Sequence, residues 1–416
     1  MSTKKPSRFA RAALRFLGLD GHLNVDTELL RVVASTASGK HVTVDSALQL
    51  SAVFSCVSLI AETVSTLPLK VYRRKDDGSR ELAKEHPLYA LLCRSPNYEQ
   101  TPARYLLMVA ASICLWGNSF TEIIRSPITK RIISLNPLLP QNMTVKRDKE
   151  TKILKYIYTE NGVKREIDEK SMMHIRGFGI DGVMGIFKIF KARETIGVAQ
   201  SAEESAGKFF ENGLQSSGLV STNDKLTPEQ RDRLRDNMTK FMGSKNAGKM
   251  MVLENGITYH GITMNPEAAQ MLETRSFEIE EICRWFRVPP FMVGHLEKQS
   301  SWASSVEGMN MQFLTNTLRP MLVNIEQEIA RCLINSTDFD TYYVEFSVEG
   351  LLRADSKGRA DFYASALDHG YLNRNEVRRK ENEAPIPGGE IYTIQSALIP
   401  LDQVGTNYKG IKNEQT

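Results

Sequence analysis

A glycine followed by a lysine and then a hydroxyl residue, set at the mouth of a helix, is how many chains hold a nucleotide phosphate. Residues 243–250, GSKNAGKM, come within one position of that pattern. A phosphate-binding loop reads G-x-x-x-x-G-K-[ST] and lies after a strand and before a helix, so that its amides face the phosphates and the hydroxyl binds magnesium. Met250 stands in the hydroxyl position and offers only a weak thioether. The order is also reversed, because a helix precedes the segment and the strand-like KMMVLENGITYHGIT follows it. A helix C-cap and a hairpin turn at Asn255-Gly256 account for the same residues. A nucleotide-dependent DNA-processing enzyme built on 243–250 is therefore kept only as the alternative reading.

Other catalytic arrangements are missing from the sequence: HExxH and GxSxG do not occur, and His174, His260 and His295 stand apart from one another. The acidic pairs Asp76-Asp77 and Asp338-x-Asp340 lie in turn-like sequence and read as solvated loop residues. No enzyme activity, cofactor or metal is expected. The five cysteines form no CxxC pair, and their odd number fits reduced thiols rather than a disulfide framework.

The elements that would position any site follow from hydrophobic periodicity. With 416 residues, 41% of them hydrophobic, the chain can bury cores in two or three domains, and a net charge of +4 is too small to mark a general polyanion coat. No apolar run is long enough to cross a bilayer, so no membrane partner is expected. The basic N-terminal KKPSRFARAALRFLGL admits a membrane-surface helix but reads more simply as an arm that is unstructured until it meets a partner.

Leu50, Val53, Phe54, Val57, Ile60, Ala61 and Val64 recur at helical spacing, which predicts a helix from Ala47 to Thr66 stopped by Pro68. The strand LKVYRR and a turn at Asp76–Gly78 follow, then a helix over Ala103–Trp116. SFTEIIRS, RIISLNPLLP, MTVKRD, KYIYTE and KREID read as successive short strands. From Phe187 a long helix rich in small residues (Ala192, Ala199, Ala202, Ala206) runs to Gly213, and a strand SGLVST comes next. Thr227, Pro228 and Gln230 form a capping-box start for a helix ending near Gly243.

A second long helix starts at Asn265-Pro266 and runs to Val288, where Pro289 and Pro290 end it. Its stripe is Ala268, Met271, Leu272, Ile279, Ile282, Cys283 and Phe286; Glu273, Glu278, Glu280 and Glu281 are expected elsewhere on its surface, and Phe277 and Trp285 lie off the stripe. A polar loop, HLEKQSSWASSVEG, leads to a helix with the stripe Leu318, Leu322, Ile325, Ile329 and Leu333. The strand YYVEFSV, the helical RADSKGRADFYASALDHG and a Pro/Gly-rich tail complete the chain.

In this order, the segments ALQLSAVFSCVSLIAETVSTLPLKVYRR, HPLYALLCRSPN, LWGNSF, LNPLLPQNMTV, MMHIRGFGIDGVMG, QMLETRSFEIEEICRWFRVPPFMVG and GYLNRNEVRRKENEAPIPGGE resemble the portal, or head-to-tail connector, proteins of long-tailed bacteriophages. One departure is local: relatives commonly carry Gly-x-Ser-Pro where this chain has Gly185-Ile186-Phe187-Lys188.

The resemblance implies an α+β, predominantly helical subunit of portal-type wing, stem, clip and crown architecture. It implies a homo-oligomeric ring, usually of twelve copies, around double-stranded DNA at one capsid vertex of the virion, assembled in the host bacterial cytoplasm. It also implies as partners the terminase large subunit, a head-tail adaptor, the major capsid protein and the scaffold. By order and length, the segments are a basic arm (1–45), a wing (46–186), a first stem helix (187–213), a clip (214–264), a second stem helix (265–288), a tunnel-loop region (289–310), a tunnel-side helix and strand (311–350) and a crown with tail (351–416).

The residues expected nearest DNA are His295, Lys298, Gln299 and Trp302. Glu273, Glu278, Glu280 and Glu281 are expected to line the stem, where a mildly repulsive wall lets DNA slide. Between Lys225 and Lys249 the chain carries seven basic and three acidic residues, and Arg231, Arg233, Arg235, Lys245 and Lys249 are the expected clip docking residues.

Overall fold

The computed structural model describes residues 36–148, 150–211, 218–222, 225–241, 257–261, 265–295, 306–348, 356–381 and 383–393. The chain divides into two compact units, Met1–Ser347 and Val348–Thr416.

In the first unit a short helix α1 (Val44–Leu48) is opened by a capping box between Thr43 and Ser46 and is followed by α2 (Ser51–Thr66). The single predicted helix is thus two, and Val53, Cys56, Val57, Ile60, Ala61 and Val64 of α2 are buried. Phe54, placed on that stripe by spacing, is instead exposed, and Cys56 fills the buried face. Strands β1 (Leu69–Arg74) and β2 (Arg80–Leu82) form the expected hairpin, with Gly78 at φ +79° in the turn. Helix α3 (Pro87–Cys93) and helix α4 (Pro102–Trp116) follow; Thr101 caps α4 and Gly117, at φ +71°, ends it.

The predicted strand series is β3 (Asn118–Arg125), β4 (Ile132–Leu138), β5 (Met143–Arg147), β6 (Leu154–Glu160) and β7 (Val163–Ile167), and β8 (Met172–Arg176) joins it. They make two antiparallel sheets, β4-β3-β8 and β5-β6-β7. Alternate residues of both sheets meet in one core of Phe120, Leu138, Met143, Val145, Leu154, Tyr156, Tyr158, Ile167 and Met172.

The predicted helix from Phe187 is broken at Ala192 into α5 (Lys188–Lys191) and α6 (Arg193–Glu211). Gly213, its expected cap, lies outside the described residues. Strand β9 (Gly218–Ser221), α7 (Pro228–Phe241) and β10 (Thr258–Gly261) follow, and β9 and β10 pair antiparallel. The capping box of α7 forms as read: Thr227 N donates to Gln230 Oε1 at 3.0 Å, and Gln230 N donates to Thr227 Oγ1 at 3.3 Å.

Helix α8 (Asn265–Phe286) spans 22 residues. It ends in a turn where Val288 N reaches Cys283 O at 3.0 Å and Arg287 sits at φ +56°. Helix α9 (Val306–Phe313) continues through a π-turn (Leu314–Leu318) into α10 (Arg319–Leu333). Leu318, Leu322, Ile325, Ile329 and Leu333 are all buried, as their spacing predicts. α10 packs on β8 and on β11 (Tyr342–Phe346), and β11 pairs with β1 across some 270 residues of chain to give the sheet β11-β1-β2.

In the second unit, α11 (Ser356–Asp368) precedes α12 (Arg374–Lys380), which is opened by a capping box of Asn373 and Glu376. The Asn375 side chain there accepts from Ile386 N at 2.8 Å and donates to Ile386 O at 3.0 Å, closing the PIPGGE segment onto the helix.

Candidate functional site

The chain's two long helices lie side by side. α8 packs on α6 and on α2, and Trp285 Nε1 donates to Thr195 Oγ1 at 3.3 Å, joining the end of α8 to the beginning of α6. Ala192, Ala199 and Ala206 are buried on the α6 side, where small side chains permit close approach. The segment before α1 also closes on α6. A side chain at Gly197 would overlap Thr36 and Ser38, Ala37 N donates to Glu194 Oε2 at 3.0 Å, and Lys40 pairs with Glu204. On the outside of this pair, Phe277 is 54% exposed, Trp285 39% and Val198 40%.

The acidic residues of α8 separate into different roles. Glu278 was expected on the surface, but it is only 9% exposed and its Oε2 has no hydrogen-bond partner among the described residues. The reason is helical phase: Glu278 lies four residues before Ile282 and eight before Phe286, both buried. Burial raises its carboxyl above the ordinary range. On α6, the buried Oγ of Ser201 also lacks a partner among the described residues. Glu281 pairs with Arg284, and Glu280 Oε1 lies 3.7 Å from His295 Nε2. The side chain of Glu273 lies outside the described residues.

His295 opens the expected tunnel loop, yet its side chain is only 10% exposed. It is held on α8, with Ser276 Oγ 3.2 Å from Nε2. Lys298, Gln299 and Trp302 lie outside the described residues, as do Lys245, Lys249 and the whole of 243–250. Arg231, Arg233 and Arg235 are exposed on α7, where Asp232 and Asp236 are interleaved with them.

Periodicity did not point to the arrangement that leads into α6. Asn118 Nδ2 donates to Trp116 O at 3.0 Å and to Gly185 O at 2.9 Å, while its Oδ1 accepts from Gly185 N at 2.7 Å. Those partners fix the amide's orientation, so His174 Nε2, 2.9 Å from Oδ1, carries a hydrogen. His174 Nδ1 then accepts from Tyr156 OH at 3.4 Å, and its ring stacks on Phe120 at 4.3 Å. Gly177 N donates to Gly117 O at 2.7 Å, and a methyl at Gly185 would overlap that same carbonyl. The segments LWGNSF and MMHIRGFGIDGVMG are therefore two halves of one clasp. The glycines at 117, 177 and 185 were the available signal, since only they admit backbone at that distance.

The departure at 185–188 also has a local consequence. Phe187 occupies the N-cap of α5 without a side-chain hydrogen bond, where a serine would cap and a following proline would preset the turn. Phe187 instead stacks on Phe190, with ring centroids 6.4 Å apart.

Among the described residues no helix is long and apolar enough to cross a membrane, and no group of three or more metal-ligating side chains is present. The sequence model of the family described as "Phage portal protein" matches residues 51–382, and the chain belongs to that family. It is 35% identical over 362 residues to the "Portal protein" of Enterobacteria phage HK97, covering 86% of this chain and 85% of that one. Its fold, mixed helix and sheet, is that of solved portal and neck proteins. A chain from the neck of an empty gene transfer agent particle computed with C6 symmetry superposes with a TM-score of 0.60 at 22% identity, covering 90% of this chain and 100% of that one. An HK97 family phage portal protein from Corynebacterium diphtheriae superposes with a TM-score of 0.56 at 17% identity, covering 75% and 96%. The chain is accordingly a structural portal protein.

Proposed function

We propose that this chain is the repeating unit of a ring, of twelve copies, that sits at one capsid vertex and conducts double-stranded DNA during packaging and ejection. The observation that carries this reading is the α6–α8 pair. Its inner face is closed by small residues, while Phe277, Trp285 and Val198 remain uncovered outside, and a head-to-tail ring needs such an adhesive face on each subunit. In this reading 46–186 is the wing, 187–213 and 265–288 are the stem, 214–264 is the clip, 289–310 holds the tunnel loop, 311–350 is the tunnel-side helix and strand, and 351–416 is the crown and tail.

Lys298, Gln299 and Trp302 approach DNA, and Glu273, Glu280 and Glu281 give the stem its acidic lining. Glu278 leaves that set because it is buried, and His295 acts as an anchor for the loop rather than a DNA contact. Arg231, Arg233, Arg235, Lys245 and Lys249 receive the terminase large subunit and the head-tail adaptor, and the wing faces the major capsid protein and scaffold. The role is non-enzymatic, and assembly takes place in the host bacterial cytoplasm.

Negative-stain imaging of the purified full chain tests the reading. Closed rings with a central channel are expected. A 46.8 kDa monomer in light scattering at every salt concentration, with no rings on the grid, would sink it.

A further inference from the structure

The thiols of Cys56 and Cys283 lie 227 residues apart in sequence, yet their sulfurs are 3.9 Å apart, and both residues are buried. Cys56 belongs to α2 and Cys283 to the last turns of α8, so this contact sits where the second long helix meets the helical layer of the first. A disulfide has its sulfurs about 2.05 Å apart, so closure needs a sulfur movement of roughly 1.9 Å, within reach of small χ rotations of two side chains already in contact.

We infer that Cys56 and Cys283 are a built-in oxidation site, at which hydrogen peroxide converts the two thiols to an intrachain disulfide that fastens α8 to α2. The two thiols are chemically unequal. The hydrogen bond between them holds Cys283 below the ordinary thiol range, while the same bond together with burial pushes Cys56 up. Burial pushes Cys93 up, Cys114 to about 11 and Cys332 to about 12. Cys283 is thus the thiol most readily ionised, and the thiolate is the nucleophile.

The chemistry balances with the peroxide as sole oxidant. The Cys283 sulfur attacks one peroxide oxygen, the O–O bond breaks, and the departing hydroxide takes the Cys283 proton and leaves as water. The Cys56 sulfur then attacks the sulfenic sulfur, the S–O bond breaks, and that hydroxide leaves as a second water with the Cys56 proton. Each sulfur gives up one electron, and the two electrons reduce hydrogen peroxide to two waters. Hydrogen peroxide is close to water in size, which suits a site closed to larger oxidants.

The test uses the full chain treated with hydrogen peroxide, alkylated in denaturant and digested without reductant. Alkylatable thiols are expected to fall from five to three, and mass spectrometry should find the Cys56 peptide joined to the Cys283 peptide, with dithiothreitol restoring all five. In Cys56→Ser, Cys283 is expected to stop at sulfenic or higher acids with no intrachain bridge. The inference is overturned if Cys283 goes to sulfinic acid while Cys56 stays alkylatable in the unaltered chain, if Cys56 pairs with Cys114, or if the bridge joins two chains. The peptide measurement on the unaltered chain stands whether or not the serine variant folds.

Discussion

The imidazole of His174 is fully buried, engaged at both nitrogens and stacked on Phe120, so a positive charge there would have no solvent to share. Burial accordingly holds its pKa well below the usual histidine value, with the nearby Arg176 and Arg331 acting in the same direction. An unfolded chain takes up this proton below about pH 6.5, whereas the folded chain does not. The unfolded state therefore binds more protons, and stability is level above that pH and falls below it by up to about 1.4 kcal/mol per pH unit. His174→Gln should remove that acid limb while lowering the plateau through loss of the stacked ring. Thermal midpoints at pH 7.5 and 5.5 report it: the drop on acidification should be smaller in the variant, and an equal drop would mean that His174 titrates freely.

At the scale of elements, Glu278 makes the packing of α8 pH-dependent in the opposite sense. Its raised carboxyl stays protonated in the folded chain at pH values where the unfolded chain has already released the proton, near 4.5. The folded state then binds more protons, so stability declines as pH rises from about 4.5 through the raised value. Glu278→Gln should leave α8 at least as stable at pH 7 and flatten this dependence. Hydrogen exchange of α8 amides checks it, and lower protection in the variant would mean that the carboxylate holds a compensating charge.

The same elements show what a sequence discloses and what it withholds. The strands from β3 to β7, the α7 capping box and the α10 stripe are read from spacing, because each depends on neighbours within a few residues. The β1–β11 pairing, the meeting of Asn118 with Gly185 and the position of Glu278 depend on what packs against them from far along the chain. Glu278 is instructive because its type argued for solvent and its phase argued for burial, and phase prevailed. Of the thirteen candidate site residues, Lys298, Gln299, Trp302, Lys245 and Lys249 fall outside the described residues.

For the molecule as a whole, the ring reading predicts that assembly and subunit folding respond separately to substitution. Phe277 and Val198 are exposed in the single chain, so replacing both by aspartate should leave the thermal midpoint within about 2 °C, as ordinary surface changes do. The same replacement places charges in a desolvated subunit contact and should shift native mass spectra from rings towards monomers. Rings of unchanged abundance would move the contact surface elsewhere on the chain.

The π-turn at Leu314–Leu318 has a cause two residues further on. Pro320 has no amide hydrogen to give, and its ring crowds the carbonyl four residues back, so the wider winding absorbs the misfit without breaking the rod. The turn carries one residue more than α-helical indexing allows, which sets Val306–Phe313 about 100° out of step with Arg319–Leu333. A single proline thus acts like a gear offset: it fixes the angle at which everything upstream of it leaves the rod, while the downstream half keeps its grip on β8 and β11.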